Sequence, residues 1–259
     1  MSYYPLISIM PKSAFDPDAQ AFITAAAITD VTQQNAINTL VLALKGYSIW
    51  TKFKAIYPIV GGVASSHAVN LKTPGTYNLS FASGWTHSAT GMLPNGATYA
   101  DTSFNVNSYR DNNHISLYIR TNVNESSVDM GVFSTASGGT YFDIESRFSN
   151  VAYFGNHVAN TYINYANTNS QGLHINNRTS SILQNVFLNN IKKATNTNAT
   201  TSSLNLNMWI GARNTAGLSS LYSTKQFAFA SIGDGLTDTD AANFYTAVQA
   251  YQTTLSRQV

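Results

Sequence analysis

The stretch of the chain with the clearest chemical potential is Thr140–Phe148, which reads TYFDIESRF. Polar and apolar residues alternate along it, and this alternation predicts a β-strand with one polar face. Four polar residues would share that face: Tyr141, Asp143, Glu145 and Arg147. Two carboxyl groups on one face are the groups that hydrolyse glycosidic bonds. The same pattern is also typical of an exposed strand face on which the arginine neutralises both carboxylates, and we favour that interpretation.

Aromatic residues indicate a second possible chemistry, the binding of sugars. The chain contains 15 Tyr, 13 Phe and 3 Trp. Sugar rings stack on the faces of tyrosine and tryptophan, and neighbouring polar groups fix their orientation. We therefore consider a glycan-binding face formed by the polar residues of 140–148 together with Tyr109 and Arg110. Three further tyrosines are candidates, although each could equally belong to the core: Tyr118, Tyr153 and Tyr162.

Metal and cofactor sites have little support in the sequence. No two of the five histidines have the i, i+4 spacing of a helix or the i, i+2 spacing of a strand, so a zinc site is not indicated and each is interpreted as an isolated residue. Oxygen-rich segments at 111–113 and 234–240 resemble calcium ligands. A hairpin turn and a helix cap explain them more simply. We expect no metal, no cofactor and no catalytic residues, and hence a protein that is not an enzyme.

Composition excludes several classes of partner. Charged residues make up only 10% of the chain, the formal net charge is +2, and the 14 basic residues are scattered, so nucleic-acid binding is not expected. The absence of cysteine excludes disulfides and thiolate metal sites. Residues 1–15 are apolar but lack a basic start and are interrupted by Pro5 and Pro11. We expect neither a signal peptide nor a membrane span there.

Helical patterns occupy the first 62 residues and the last 20 or so. Residues 16–28 and 30–46 predict two helices, the second capped by Asp30. A third short helix is predicted over 48–56, where Pro58 would end it. We assign 1–62 to an N-terminal segment that could act as an anchor. A last helix is predicted over 237–256, with Thr237 as its N-cap.

Between these helices the pattern changes to period two. Nine strands are predicted at 77–81, 97–104, 114–121, 127–134, 140–148, 172–179, 182–188, 206–213 and 225–233. Asn- and Gly-rich turns separate them. The segment 192–205 is expected to be an exposed loop. Residues 63–259 are therefore predicted to form a mainly β domain, an antiparallel jelly-roll sandwich with the C-terminal helix attached.

The second half of the chain resembles the concanavalin A-like lectin and glucanase superfamily in its laminin-G-like branch. The resemblance is carried by Arg178 on a strand, the stretch VFLNNIKK, the pair Ile210-Gly211, and FAFASIGDGLTDTDAANFYTAVQ. Asn190 stands where that family usually has glycine. Laminarinase-type glucanases of this fold carry Glu-x-Asp-x-Glu on one strand, with the first Glu as nucleophile. Here Tyr141 takes that place, so only Asp143 and Glu145 match.

Nearly the whole chain further resembles virion proteins of phages and prophages of Bacteroidota-type bacteria. The likeness rests on AQAFITAAAITDVTQQNAINTLVLALK, IWTKFKAIYPIVGG, GWTHSATGMLPNGATYADT and the C-terminal ASIGDGLTDTDAANFYTAVQAYQTTL. It implies a structural protein attached to a tail or capsid, made in the host cytoplasm and located on the virion. A function in binding host-surface glycans or receptors agrees with this, and a glycan depolymerase or glucanase of the same fold is the alternative.

Assembly on a particle implies partners. We expect contacts with other virion proteins and a homo-oligomer, most simply a trimer, because virion attachments are usually closed symmetric rings. The apolar and aromatic segment 1–15 is the candidate contact, since an exposed segment of that kind normally has a covering partner. An edge strand added to its own sandwich is the equal alternative for this segment.

Overall fold

The computed structural model describes residues 15–259, so the predicted contact segment at the N-terminus lies outside the described residues except for Phe15. The helices are α1 (Pro17–Ala25), α2 (Val31–Gly46), α3 (Ala64–His67) and α4 (Asp238–Thr254). The first strands are β1 (Phe53–Tyr57), β2 (Ser80–Phe81), β3 (Trp85–Ser88), β4 (Gly91–Pro94), β5 (Ala100–Asn105), β6 (Asn113–Ile119), β7 (Met130–Ser134) and β8 (Thr140–Phe148). The others are β9 (Val151–Ala159), β10 (Ile163–Ala166), β11 (Gly172–Ser180), β12 (Leu183–Leu188), β13 (Ile191–Asn196), β14 (Asn207–Ile210), β15 (Arg213–Thr215), β16 (Leu218–Ser220) and β17 (Phe227–Gly233).

The strands form two stacked sheets. One contains eight strands in the order β13-β12-β11-β6-β17-β4-β3, with β1 paired to β17. The other contains nine, in the order β10-β9-β8-β7-β14-β5-β2, with β15 and β16 attached beside β7. All pairs are antiparallel except β15 with β7. This confirms the predicted fold class, a mainly β antiparallel sandwich with helices before it and one helix after it.

Alternating side chains of the two sheets fill the space between them. Ile115 and Leu117 of the eight-stranded sheet and Phe142 and Ile144 of the nine-stranded sheet are fully buried in this core. Burying such a side chain contributes roughly 1.5–3 kcal/mol. The strands of the second sheet therefore direct their intervening residues outward, and this outer face is the one that carries the predicted site.

A second core lies on the other face of the eight-stranded sheet, beneath the helices. Phe22 of α1, Leu40 of α2 and Phe244 of α4 pack there with Phe229 and Tyr118 of the sheet. Helix α4 begins as predicted: the Thr237 hydroxyl accepts from the Asp240 N–H, and the Asp240 carboxylate accepts from the Thr237 N–H. The helices thus cover one sheet and leave the outer face of the other uncovered by any described helix.

The third predicted helix is wrong. A single 3-10 turn, Trp50–Lys52, leads directly into β1, which pairs with β17. Both faces of β1 are buried, since Phe53 packs under the helices and Tyr57 packs between the sheets. A short, mostly apolar segment of this kind predicts a buried strand and a buried helix equally well. β1 lies before residue 62 and pairs with β17, so the eight-stranded sheet contains strands from both sides of the domain boundary proposed at residue 62.

Several strands have no clear sequence signal. β9 and β10 were not predicted, and β13 lies within the segment expected to be an exposed loop. β13 consists almost entirely of polar or exposed residues and pairs only with β12, so no buried face imposes alternation on it. Asn189 adopts φ +57° in the turn before it, a conformation that asparagine tolerates and glycine usually supplies.

Buried amides connect the two sheets. Asn156 of β9 exchanges hydrogen bonds with Asn113 of β6, and its Nδ2 also donates to Asn176 of β11 at 3.1 Å. Asn176 Nδ2 in turn donates to the backbone carbonyls of Asp143 and Gly155 at 2.9 and 2.6 Å. We call Asn113, Asn156, Asn176 and Gln184 the inter-sheet amide network, because Gln184 Nε2 completes it by donating to Asn176.

The helical layer yields the first prediction. Phe244 is fully buried against Phe53 and Phe229, with ring centroids 5.0 and 5.9 Å away. Phe244→Ala should lower the free energy of unfolding by about 3–5 kcal/mol, because the lost apolar contact leaves a cavity. Thr246→Ala, on the exposed side of α4, should change it by less than about 0.5 kcal/mol. Urea unfolding followed by circular dichroism measures both, and equal effects would contradict the packing described here.

Candidate functional site

Strand register places five residues in one row across the outer face of the nine-stranded sheet. β15 contributes Arg213, which is paired with Gly131 of β7. Gly131 lies beside Asp143 of β8, since Met130 is paired with Ile144, and Asp143 is paired with Gly155 of β9. Tyr162, immediately before β10, continues the row beyond Gly155. A carboxyl group therefore sits between two glycines, with a guanidinium on one side and a phenol on the other.

The two glycines make room for this carboxyl group. A Cβ on Gly131 would overlap the Asp143 Cβ, and a Cβ on Gly155 would overlap the Tyr141 Cβ and lie 2.9 Å from Asp143 Oδ1. Any other residue at either position would push Asp143 or Tyr141 out of place. Because neither glycine has a side chain, large side chains from neighbouring strands can pack over Asp143.

Asp143 is completely buried. Its Oδ1 accepts from the Gly155 N–H at 3.0 Å, and its Oδ2 accepts from the Tyr162 hydroxyl at 3.2 Å. Burial raises the pKa of Asp143 to about 7, while the charge of Arg213 and the two hydrogen bonds act in the opposite direction. The protonated form of this carboxyl group therefore persists to a much higher pH than that of an exposed aspartate.

Half-buried aromatic rings form the surface above Asp143. The Tyr141 ring stacks on Phe133 with centroids 4.6 Å apart and meets the Tyr162 ring at 4.5 Å. Tyr153 of β9 meets Tyr162 edge-on at 6.0 Å. The Arg213 guanidinium lies 4.8 Å from the Phe133 centroid and 5.7 Å from that of Tyr141. We call Phe133, Tyr141, Tyr153, Tyr162 and Arg213 the tyrosine face.

Glu145 stands at the border of the tyrosine face, paired in register with Tyr153. It is half-buried, and within residues 15–259 it accepts no hydrogen bond and forms no ion pair. Burial, followed by the nearby charges of Asp143 and Asp129, raises the pKa of Glu145 to about 7. Since no protein group within residues 15–259 pairs with this partly exposed carboxyl group, its capacity to accept or donate a hydrogen bond is available to water or to a ligand.

A buried ion pair holds the part of β8 that carries Glu145. The Lys225 ammonium, fully buried, donates to Asp129 Oδ1 and Glu125 Oε1, both at 3.1 Å. Asp129 Oδ2 accepts from the Ser146 N–H at 2.9 Å, next to Glu145. Removing one partner of such a pair leaves a buried charge and destabilises strongly. Lys225 is therefore a structural residue that anchors β8 through Asp129.

The predicted exposed, self-neutralised strand face is wrong in two respects. Asp143 is buried rather than exposed, and Arg147 pairs with neither carboxylate, since its guanidinium donates to Asn122 and Asn150. Register shifts between 140 and 142 and between 145 and 148 interrupt the regular alternation of β8. The second shift also leaves Phe148 39% exposed, although the sequence pattern directs it inward.

Of the six predicted site residues, the structure brings together Tyr141, Asp143 and Glu145. Arg147 lies further along β8, on the loop side of the second register shift. Tyr109 packs on Phe104 at 4.8 Å, and Arg110 pairs with Asp111, so no described contact joins either of them to the tyrosine face. Of the additional tyrosines, Tyr153 and Tyr162 belong to the site, whereas Tyr118 is buried in the helical core.

Sequence reasoning missed Arg213, Phe133 and the two glycines. No pattern within one strand indicates them, because they come from strands far apart in the sequence and only register unites them. An isolated glycine within a strand is nevertheless a signal of close approach by another group. Applied to Gly131 and Gly155, that signal would have marked this row.

The histidines are mostly structural, with one exception to their predicted isolation. His67 and His87 approach each other with 2.9 Å between their Nδ1 atoms. The other three are fully buried: His114 lies against Phe53 and Phe244 of the helical core, and His157 and His174 pack on Phe142 and Phe154 between the sheets. Residues 15–259 contain no cluster of three or more His, Cys, Asp or Glu side chains that could hold a metal ion. In the two oxygen-rich segments, Asp111, Asp234, Asp238 and Asp240 pair with lysine or arginine.

No protein-family model matches the sequence, and the comparison with curated protein sequences found no match. Solved structures do share the fold. A Trypanosoma rangeli sialidase mutant with trans-sialidase activity aligns with a TM-score of 0.57 and 9% identity, over 85% of this chain and 40% of its own. T. rangeli sialidase in complex with sialic acid aligns with a TM-score of 0.54 and 8% identity, over 82% of this chain and 38% of its own. The binding domain of botulinum neurotoxin serotype D aligns with a TM-score of 0.52 and 12% identity, over 77% and 52%.

These similarities show the fold of the protein, a β-sandwich that domains of these proteins share. The chain spans about half or less of the length of the proteins that it resembles. The expectation that it is not an enzyme is wrong as stated, since sialidases contain this fold and the fold is thus compatible with an enzymatic function. Within residues 15–259, no helix is both long and apolar enough to cross a membrane.

The raised pKa of Asp143 generates a prediction about stability. The ordinary value of 3.8 becomes about 7 in the fold, so the protonated form is favoured and stability is lost as the pH rises from about 4 to 7. Asp143→Asn keeps an acceptor for the Gly155 N–H and carries no charge. Above pH 7 the free energy of unfolding of Asp143→Asn should exceed that of the wild type by roughly 3–4 kcal/mol, and this difference should shrink towards pH 4.

Urea unfolding between pH 4.5 and pH 8 measures this difference curve. The control is Asp111→Asn, because the hydrogen bond and charge of Arg110 lower the pKa of Asp111. Its difference curve should be flat or slope the other way, since that carboxylate is largely exposed. A difference between wild type and Asp143→Asn that does not depend on pH would show that Asp143 is ionised throughout.

Proposed function

We propose that this protein is a glycan-binding β-sandwich that recognises a cell-surface saccharide through the tyrosine face. The observation that carries the proposal is the arrangement of half-buried Tyr141, Tyr153 and Tyr162 around Arg213, bordered by the unpaired carboxyl group of Glu145. Aromatic rings offer flat apolar surfaces to the C–H faces of a sugar, while a guanidinium and a carboxyl group bind its hydroxyls. The rigid strands below hold these groups in place.

The fold neighbours support the proposal at the level of architecture. Their names describe a sialidase in complex with sialic acid and a neurotoxin binding domain, both containing a sandwich of this type. A fold hosts many functions, and the site decides among them. The tyrosine face supplies that local argument for this chain.

We further propose that the protein works on a phage particle, as a tail- or capsid-attached subunit that contributes to host adhesion. The resemblance of the sequence to virion proteins supports this location, as does a surface wetted mainly by amides and hydroxyls, with only 10% charged residues. Immunogold labelling of purified particles with antibody against this chain tests the location, and unlabelled particles would contradict it.

The binding proposal predicts the effect of single substitutions. Tyr153→Ala and Arg213→Gln should each weaken binding of the best glycan about tenfold or more, because each removes a contact of roughly 1–2 kcal/mol. A glycan array identifies the ligand, and isothermal titration calorimetry measures its affinity. Tyr47→Ala, which removes a 38% exposed tyrosine at the end of α2, should bind like the wild type. Unchanged affinity in both site variants would refute the assignment of this face.

Hydrolysis of a glycan is the second candidate function, and one observation favours it. Glu145 and Asp143, both with a pKa near 7, lie at alternate positions on β8, with the Tyr162 hydroxyl on Asp143. A carboxyl group with a pKa near the working pH is suited to give or take a proton. Glu145, which is partly exposed, would act as the general acid and protonate the oxygen of the leaving sugar as its bond to the anomeric carbon breaks. A water from solvent would attack that carbon and release its proton to solvent, and the charge of Asp143 would help to keep Glu145 protonated near neutral pH.

This second candidate predicts release of reducing sugar from host capsule or β-glucan near pH 7. Activity should fall at least a hundredfold in Glu145→Gln, because the glutamine amide cannot transfer the proton. Arg147→Gln, two residues along the same strand, should remain fully active. Absence of sugar release by the wild type on substrates that it binds would leave binding as the function.

A further inference from the structure

The two sheets end side by side at one side of the sandwich. β10 is the last strand of the nine-stranded sheet and β13 is the last strand of the eight-stranded sheet. The Lys193 ammonium of β13 lies 5.2 Å from the centroid of the Tyr165 ring of β10, so the two edges are in contact. Between them runs a shallow groove that is largely open to solvent and has a volume of about 430 Å³. We call it the edge groove.

The edge groove is lined by uncharged polar groups. It is formed by residues 161–164 on one side and 194–198 on the other, and none of them is ionisable except Tyr162. The Asn164 amide, the Thr197 hydroxyl and the Asn198 amide make no hydrogen bond within residues 15–259. Asn196 uses its Oδ1 to accept from the Asn198 N–H, which leaves its two Nδ2 protons free.

These free groups match the chemistry of a sugar. A side-chain amide both donates and accepts, so it can bind two neighbouring hydroxyls that do the same. No lining residue carries a charge that would form an ion pair with an acidic or a basic ligand. The groove therefore favours an uncharged, hydroxyl-rich molecule.

Tyr162 connects the edge groove with the tyrosine face. The residue lines the groove, and its ring meets Tyr141 and Tyr153 on the outer face of the sheet. Its hydroxyl is held by Asp143, which limits movement of the ring. A sugar chain lying across the tyrosine face can therefore continue over Tyr162 into the groove without a break.

We propose that the edge groove is a second sugar subsite and that the protein binds an uncharged oligosaccharide of several units, with one end on the tyrosine face and the other between β10 and β13. This inference rests on the proposed glycan-binding function and specifies the class of ligand. A peptide added as an extra strand is the competing occupant, because within residues 15–259 each of these two strands pairs along one edge only. It would use backbone groups and leave the side-chain amides of the groove without a function.

The test uses the full chain and the strongest uncharged ligand of the glycan array, prepared in lengths of one to six sugar units. The groove variant combines Asn164→Ala with Asn196→Ala, and both side chains are at least partly exposed. Its matched control is Asn35→Ala, an exposed asparagine on α2. Affinity of the wild type should rise with chain length. The affinity of the groove variant should be about tenfold lower than that of the wild type for the longest sugar and unchanged for the shortest. Tyr153→Ala should lose affinity for sugars of every length.

Several results would overturn the proposal. If Tyr153→Ala loses binding and the groove variant keeps full affinity at every length, the groove is not a subsite, although the proposed function stands. If only acidic glycans bind, the groove has the wrong ligand class. If no glycan binds, both proposals fail. A peptide of alternating Thr and Val that binds the wild type, with no dependence of sugar affinity on length, would assign the groove to strand addition.

Discussion

The inter-sheet amide network is the constraint on which the geometry of this protein depends. Asn156 and Asn176 face each other in the space between the sheets, where an unpaired amide would cost about 1–3 kcal/mol. Their hydrogen bonds are satisfied only at one relative position of the sheets. Asn176 also donates hydrogen bonds to the backbone carbonyls of Asp143 and Gly155, at the centre of the candidate site. The alignment of the sheets and the position of Asp143 are thus set by the same bonds.

The lack of a side chain at two glycines then shapes the site. Gly131 and Gly155 leave space beside Asp143, and the surrounding strands fill it with Tyr141, Tyr162 and Arg213. Closing the aromatic rings over a carboxyl group removes it from water, which raises its pKa and that of its neighbour Glu145. The packing of these rings over Asp143 therefore produces both the flat aromatic surface and the raised pKa values of the two carboxyl groups. This is why binding and hydrolysis are both physically reasonable at the same place.

The distribution of charge separates structural from available groups. The buried Lys225 is bound by Asp129 and Glu125, and most carboxylates at the helix ends are paired with lysine. Glu145 and the side-chain amides of Asn164 and Asn198 remain without protein partners in the part of the chain that the structure describes. In a chain with 10% charged residues, the proposed binding surface consists mainly of tyrosine, asparagine and threonine, with Arg213 and Glu145 as its titratable groups outside the tyrosines.

The sequence by itself determined the class of fold, the helix caps at Asp30 and Thr237 and the span of β8, because capping, periodicity and turn residues are local properties of the chain. It also indicated that Tyr141, Asp143 and Glu145 are close together, since they share one strand. Only the tertiary structure decided that Asp143 is buried and Arg147 is unconnected to it. Register shifts in β8 and the pairing with distant strands produce those facts, and no local pattern encodes them. Arg213 and Tyr162 join the site for the same reason: strands remote in sequence become neighbours only when the sheet closes.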